Sequence, residues 1–222
     1  MPQPSVAKPQ KIYYVEPRWP ALVALLAVGG LHLSLPPALT VGPSWLLLLV
    51  VGVLAVPTVI AHRTRRFKMN QIFGYLLSLV VTLAMLASLV LLVQALPQHK
   101  EAPVELLRSA ASIWVTNILV FASWYWRLDG GGPNARSLRE VHSDGAFLFP
   151  QMTQHSGAKN SAERGWRPGF VDYLFLAFNT STALSPADTA VLSRWAKGLM
   201  MVQAMISLAT IALLAARAVN IL

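Results

Sequence analysis

The sequence predicts an all-α integral membrane protein with about five transmembrane helices and one shorter, re-entrant half-helix. Hydrophobic residues make up 55% of the 222-residue chain and charged residues only 12%, about half of the roughly 25% that soluble domains carry. The apolar residues form long runs with basic residues between them. This placement is typical of membrane topology, so the net charge of +9 does not indicate nucleic-acid binding.

The apolar runs divide the chain into four regions. Residues 1–19 are polar and rich in proline, which predicts a flexible cytoplasmic tail. A four-span membrane region (20–126), a polar loop (127–169) and a C-terminal module (170–222) follow. A helix needs roughly 20 apolar residues to cross a bilayer, so the first run is marginal in length. The expected spans are 21–35, 45–61, 72–96, 106–126 and 199–219.

The basic residues of the short loops predict the orientation. Three lie in the N-terminal tail, none in residues 36–44, and four in the segment HRTRRFK at 62–68. Lys and Arg favour the cytoplasmic side, so the N-terminus and this segment are expected inside the cell. The same alternation places the loop at 127–169 inside, and its six basic residues agree with that side.

The apolar run at 170–184 is too short to cross a membrane. As a helix it would measure about 22 Å, against a hydrocarbon core of about 30 Å. Pro186 ends the run and Asp188 follows in a polar turn. The run also carries groups that are costly in lipid but natural in a protein-lined cavity, namely Asp172, Asn179, Thr180, Ser181 and Thr182. A half-helix, a polar turn and a full span together predict a re-entrant loop.

Residues 170–219 resemble the pore-loop module of two-span potassium channels. In that family a pore helix begins at an acidic residue, ends in threonines, and is followed by a filter, an aspartate and an inner helix. The resemblance implies a pore-like half-helix and, by analogy, a homotetramer. The matching positions are Asp172, Phe175, Phe178, Thr180, Thr182, Asp188, Lys197, Ser207 and Arg217.

The filter itself departs from that family. Where two-span channels have TVGYG, residues 183–187 of this chain read ALSPA and contain no glycine. Glycines permit the backbone angles that aim filter carbonyls inward, so potassium selectivity is not expected. The charge rule also places this loop on the cytoplasmic side, whereas the family's loop enters from outside. Either the loop is inverted relative to that family, or the topology derived from the charges is wrong.

The predicted ion-path residues are Thr180, Thr182, Ser185, Asp188, Gln203 and Ser207. Asp188 either contributes to a ring of carboxylates at a pore mouth or caps the last helix. Thr180 and Thr182 cannot share a helix face, so one is expected to pack while the other faces a cavity. Gln203 and Ser207, four apart, line a polar path or join helices. Asp172 is expected to start the half-helix and to cap it.

Two classes of function remain open. The first is a weakly selective cation channel or ion-binding oligomer, with the lipid bilayer, monovalent cations and further copies of the chain as partners. The second is a nonconducting membrane scaffold or transporter accessory protein. No nucleophile–base pair or metal-ligand spacing supports an enzyme, a metal site or a cofactor.

The whole chain also resembles an uncharacterised family of bacterial multi-span membrane proteins, known as a domain of unknown function. The resemblance lies in the four spans, the basic second loop and the DYLFLAF-like segment that ends in a polar turn with an aspartate. It implies a multi-pass protein of the bacterial inner (plasma) membrane and no particular activity.

Overall fold

The computed structural model describes residues 16–64, 66–95, 102–139, 145–154, 166–185 and 188–219. Within these ranges the chain is 80% helical and has one short strand pair, which confirms the predicted all-α class. Four described helices are long and apolar enough to span a membrane: α2 (Trp45–Arg63), α3 (Phe67–Ala95), α4 (Pro103–Leu128) and α8 (Arg194–Val219). The protein is therefore a multi-pass membrane protein.

The first helix is shorter than these four. Helix α1 (Trp19–Leu33) has 15 residues, about 22 Å of helix, in agreement with the marginal length of the first apolar run. A 3-10 turn (Pro37–Leu39) follows α1. The other helices and strands are α5 (Pro133–Ser137), β1 (Phe147–Leu148), α6 (Pro150–Gln154), α7 (Phe170–Thr182) and β2 (Ala190–Val191).

Helices α1 to α4 form a bundle in which successive helices pack side by side and α1 also contacts α4. Its buried core contains apolar side chains such as Leu25, Val51, Leu77 and Phe121. The outer surface is apolar as well, as expected where lipid is the solvent. On α2, for example, the exposed residues include Leu49, Val53, Val56 and Ile60.

Helix α4 is the most buried of the four spans because α1, α3, α7 and α8 all pack against it. Its C-terminal half carries aromatic side chains that contact the elements after it. The rings of Trp126 and Phe170 lie 5.8 Å apart, and those of Tyr125 and Phe147 lie 5.2 Å apart. The starts of α7 and β1 therefore lie at the same end of the bundle as the end of α4.

The predicted polar loop at 127–169 contains packed structure. A 3-10 turn (Asp129–Gly131) follows α4 directly, and Asp129 is fully buried. Strand β1 pairs antiparallel with β2, with Phe147 opposite Val191 and Leu148 opposite Ala190. Composition predicted a polar loop, and its described residues include segments that pack against residues distant in sequence. The loop residues at 140–144 and 155–165 lie outside the described residues.

The last residues of the predicted flexible tail are packed against the rest of the chain. Glu16 is 4% exposed and forms an ion pair with Arg136. Arg18 donates to the side chains of Asn70 and Asn134. These long-range partners, which sequence patterns do not reveal, hold residues 16–18 against the bundle. The rest of the predicted tail, residues 1–15, lies outside the described residues.

Helix α7 enters the bundle without crossing it. It begins beside the end of α4, and its 13 residues extend about 20 Å. Its last turn reaches Asn117 of α4 and Ser207 of α8, each near the middle of a 26-residue helix. The chain then returns to β2, which pairs with β1 at the end where α7 began. Helix α8 starts from that end and runs the length of the bundle.

Candidate functional site

The first turn of α7 is capped by its own acidic residue. The backbone N–H of Gly169 donates to Oδ2 of Asp172 at 2.7 Å. A carboxylate in the first helical turn also interacts favourably with the positive end of the helix dipole. The geometry therefore confirms the capping role expected for Asp172.

The last turn of α7 is held by Gln203 of α8, which is fully buried. Nε2 of Gln203 donates to the carbonyl of Ala177 at 2.7 Å and to Oγ of Ser181 at 2.8 Å. Its Oε1 accepts a hydrogen bond from the hydroxyl of Tyr125 on α4. One amide side chain thus joins α4, α7 and α8.

Ser207 makes a second connection one turn farther along α8. Its hydroxyl donates to the carbonyl of Ser181 at 2.5 Å and accepts from Nε1 of Trp114 at 2.9 Å. Asn117 on α4 donates to the carbonyl of Gln203 at 3.3 Å. These groups are buried among one another, so Gln203 and Ser207 join helices within the chain rather than line a path. Of the two roles expected for them, the joining role is the one the geometry supports.

The two threonines of α7 face different surroundings, as their spacing predicts. Thr180 is 2% exposed and donates to the carbonyl of Leu176 at 2.8 Å. Thr182 is exposed and donates to the carbonyl of Phe178 at 2.9 Å. Both hydroxyls therefore have a backbone acceptor on their own helix, which satisfies them in an apolar setting.

The segment after α7 turns sharply out of the helix. Leu184 has a φ of 54°, in the left-handed region that non-glycine residues rarely adopt. Leu184, Ser185 and Asp188 are all exposed on the surface of the chain. The predicted turn residues Pro186 and Ala187 lie outside the described residues.

A groove of about 600 Å³ runs between this segment and α8. Of the predicted ion-path residues, the groove brings together Thr180 and Asp188, while Gln203 and Ser207 are buried elsewhere. Its lining also contains one cation, Lys197. The groove is lined by Thr180, Leu184, Asp188, Thr189, Ala190, Val191, Lys197, Met200, Met201 and Ala204.

Asp188 does not cap the last helix, so that interpretation was wrong. Helix α8 begins at Arg194, and strand β2 lies between it and Asp188. The cap comes from Ser193, whose Oγ accepts a hydrogen bond from the backbone N–H of Ala196 at 3.3 Å. The strand pairing with β1, a contact distant in sequence, shifts the helix start to a later residue.

A buried charged cluster supports the base of α7, and the sequence did not point to it. Nη2 of Arg136 lies 3.1 Å from Oε2 of Glu16, and both side chains are 3% exposed. The Arg136 guanidinium also lies 5.2 Å from the centroid of the Tyr173 ring. The Tyr173 hydroxyl donates to Oδ2 of Asp129 at 2.6 Å. The cluster thus joins the N-terminal segment, the region after α4 and the first turn of α7.

We also searched for a metal site and for similar proteins. Among the described residues, no group of three or more His, Cys, Asp or Glu side chains could hold a metal ion. No protein-family model, curated protein or solved structure matches the chain. The resemblances noted from the sequence therefore stay predictions.

Proposed function

We propose that the protein is one subunit of a homo-oligomeric membrane assembly that passes small cations with low selectivity. The observation that carries this proposal is the position of the segment after α7. It is non-helical and exposed, yet it starts at the depth where Ser181 contacts the middle of α4 and α8. The assembly is proposed to lie in a bacterial inner membrane with its N-terminus in the cytoplasm.

Non-helical backbone at this depth has to be shielded from lipid. In hydrocarbon each unsatisfied backbone group costs several kcal/mol, so such segments occur only against protein or along a water-filled cavity. One chain leaves the groove open on the side of Leu184 and Met201. Several copies around an axis, four by analogy with pore-loop channels, would enclose the grooves in a shared cavity.

The charges of the groove favour cations weakly. Asp188 supplies an exposed carboxylate, and the C-terminal end of α7 directs partial negative charge toward the return segment. Lys197 in the same lining offsets part of this charge. The absence of glycine from 183–187 removes the means of stacking carbonyls into a selective filter. Low discrimination between sodium and potassium follows.

Cation flux into proteoliposomes tests the proposal. We expect flux through the wild-type protein and a several-fold lower flux through Asp188→Asn. Glu105→Gln is the matched control, because it removes one exposed carboxylate from the first turn of α4, outside the groove. Native mass spectrometry should show a symmetric oligomer. A strictly monomeric protein without flux at any voltage would contradict the proposal.

A nonconducting scaffold or transporter accessory protein is the second candidate, and it is favoured by the hydrogen bonds that Gln203 and Ser207 form within the chain. An oligomer that forms without carrying flux would support this candidate.

A further inference from the structure

A second cavity lies at the end of the bundle where α7 enters. It measures about 80 Å³ and lies between the start of α1, the end of α2, the start of α3 and the end of α4. Cavities for drug-sized ligands span roughly 300–1,000 Å³, so this one takes only a small group. Its lining includes Arg18, Thr58, His62, Asn70, Trp126 and Arg127.

Three nitrogen atoms around this cavity are buried without a hydrogen-bond partner in the described part of the chain. They are Nε of Arg18, Nδ1 of His62 and Nε of Arg127. The Arg127 side chain is 7% exposed, and its guanidinium lies 5.3 Å from the centroid of the Trp126 ring. Buried polar groups are normally paired, and the N–H of an arginine Nε can only donate. The site therefore presents donors that lack an acceptor.

The buried carboxylates of Glu16 and Asp129 bind other groups of the chain. The carboxylate of Glu16 is bound by Arg136 and Trp126, and that of Asp129 by Tyr173 and the backbone of Ala146. Burial lowers the pKa of Arg18 to about 10, with Glu16 opposing this effect and Arg136 adding to it. Arg18 therefore stays protonated at neutral pH.

The fold makes room for the second guanidinium at a specific glycine. A Cβ atom at Gly74 of α3 would lie 1.8 Å from Nη1 of Arg127, so any side chain there would displace the arginine. Asn70, one turn earlier, accepts from Arg18 at 2.9 Å and donates to the carbonyl of Thr58 at 2.7 Å. Arg18 is thus held at the cavity by hydrogen bonds, and Arg127 fills the space that Gly74 leaves.

We propose that this cavity, hereafter the arginine cavity, binds a phosphate-type anion between Arg18 and Arg127. Arginine is well suited to such groups because its planar fork of donors matches phosphate oxygens, and these charge-assisted hydrogen bonds are strong. The anion comes either from a phospholipid headgroup or from free phosphate, and both offer the same chemistry. The position at the helix ends, where headgroups lie, suits a lipid as the source.

Thermal unfolding of the purified protein in detergent tests the site. The probes are phosphatidylglycerol, a diacylglycerol with the same acyl chains and no phosphate, and inorganic phosphate. We expect phosphatidylglycerol to raise the unfolding midpoint while diacylglycerol does not. Arg127→Gln should raise the half-saturating concentration of phosphatidylglycerol about ten-fold. If this variant fails to fold, Arg18→Gln takes its place, and the same increase is expected. Arg63→Gln is the control, since Arg63 is exposed at the end of α2 and outside the cavity.

The outcomes distinguish a lipid headgroup, a free phosphate and the absence of an anion site. A response to phosphatidylglycerol that Arg127→Gln weakens assigns the site to lipid. A response to inorganic phosphate alone, again weakened by Arg127→Gln, assigns it to a free anion. No response to either phosphate source, or equal responses of the wild type and both arginine variants, would overturn the proposal. The measurement does not depend on cation flux, so the two proposals stand or fall separately.

Discussion

Gln203 and Ser181 are joined by a hydrogen bond of 2.8 Å that ties the middle of α8 to the last turn of α7. The same amide bonds the carbonyl of Ala177 and the hydroxyl of Tyr125. All of these groups are buried within the chain. The half-helix is therefore held against its own subunit by side chains, before any second subunit is considered.

Replacing Gln203 by leucine should lower the stability of the protein. The change removes the acceptor of the buried Tyr125 hydroxyl and the hydrogen bonds to Ala177 and Ser181, and an unsatisfied buried group costs about 1–3 kcal/mol. The free energy of unfolding in mixed micelles gives the measurement. Met205→Leu is the control on the same helix, because Met205 is 70% exposed and faces outward. Equal stability of the two variants would contradict the joining role of Gln203.

Breaking the ion pair between Glu16 and Arg136 should lower the stability of the protein more than replacing Gln203 does. Glu16→Gln leaves the Arg136 guanidinium buried without its counter-charge, and breaking a buried pair in this way costs about 3–5 kcal/mol. The double variant with Arg136→Gln should cost less than the sum of the single changes, since the unpaired charge is gone. Purely additive effects in such a cycle would show that the two residues are not coupled.

Replacing two glycines of the spanning helices by alanine should have different effects on stability. Gly74→Ala places a Cβ atom against Nη1 of Arg127 and should destabilise the protein, because the buried guanidinium has to move. Gly52→Ala on α2 meets nothing within 4 Å and should be neutral, or stabilising by up to about 1 kcal/mol. Unfolding midpoints of the two variants provide the comparison. A tolerated Gly74→Ala would mean that Arg127 is not fixed against α3.

Cysteine labelling should reveal the orientation, since the chain has no cysteine of its own. Ser34 follows α1 and Thr64 follows α2, and both are exposed hydroxyl residues at helix C-termini. With the N-terminus inside, Ser34→Cys should react with a membrane-impermeant maleimide added to whole cells, and Thr64→Cys should react only after lysis. The reverse pattern would invert the topology and place the entrance of α7 outside.

Much of the site was visible in the sequence because its cues are local. The short run at 170–184 and its acidic start predict a capped half-helix, and α7 with its Asp172 cap agrees. The i,i+2 spacing of Thr180 and Thr182 predicts opposite environments, and Thr180 is buried while Thr182 is exposed. Such properties depend on residues within one or two turns of each other.

The role of Asp188 and the packing of residues 16–18 were not visible in this way. A polar turn before an apolar run is typical of a helix cap, yet the pairing of β2 with β1 moves the start of α8 to Arg194. The partners of Glu16 and Arg18 lie far along the chain, at Arg136, Asn70 and Asn134. No periodicity connects residues so distant in sequence.

The sequence by itself determined that the chain belongs in a membrane and where its spans run, because hydropathy is a sum over neighbouring residues and a bilayer responds to that sum. Only the tertiary structure decided which polar groups of those spans meet. Gln203 and Ser207 face α7 and α4 rather than a path, and Nε of Arg127 lies buried without a hydrogen-bond partner in the described part of the chain, because helix rotation and packing set those contacts.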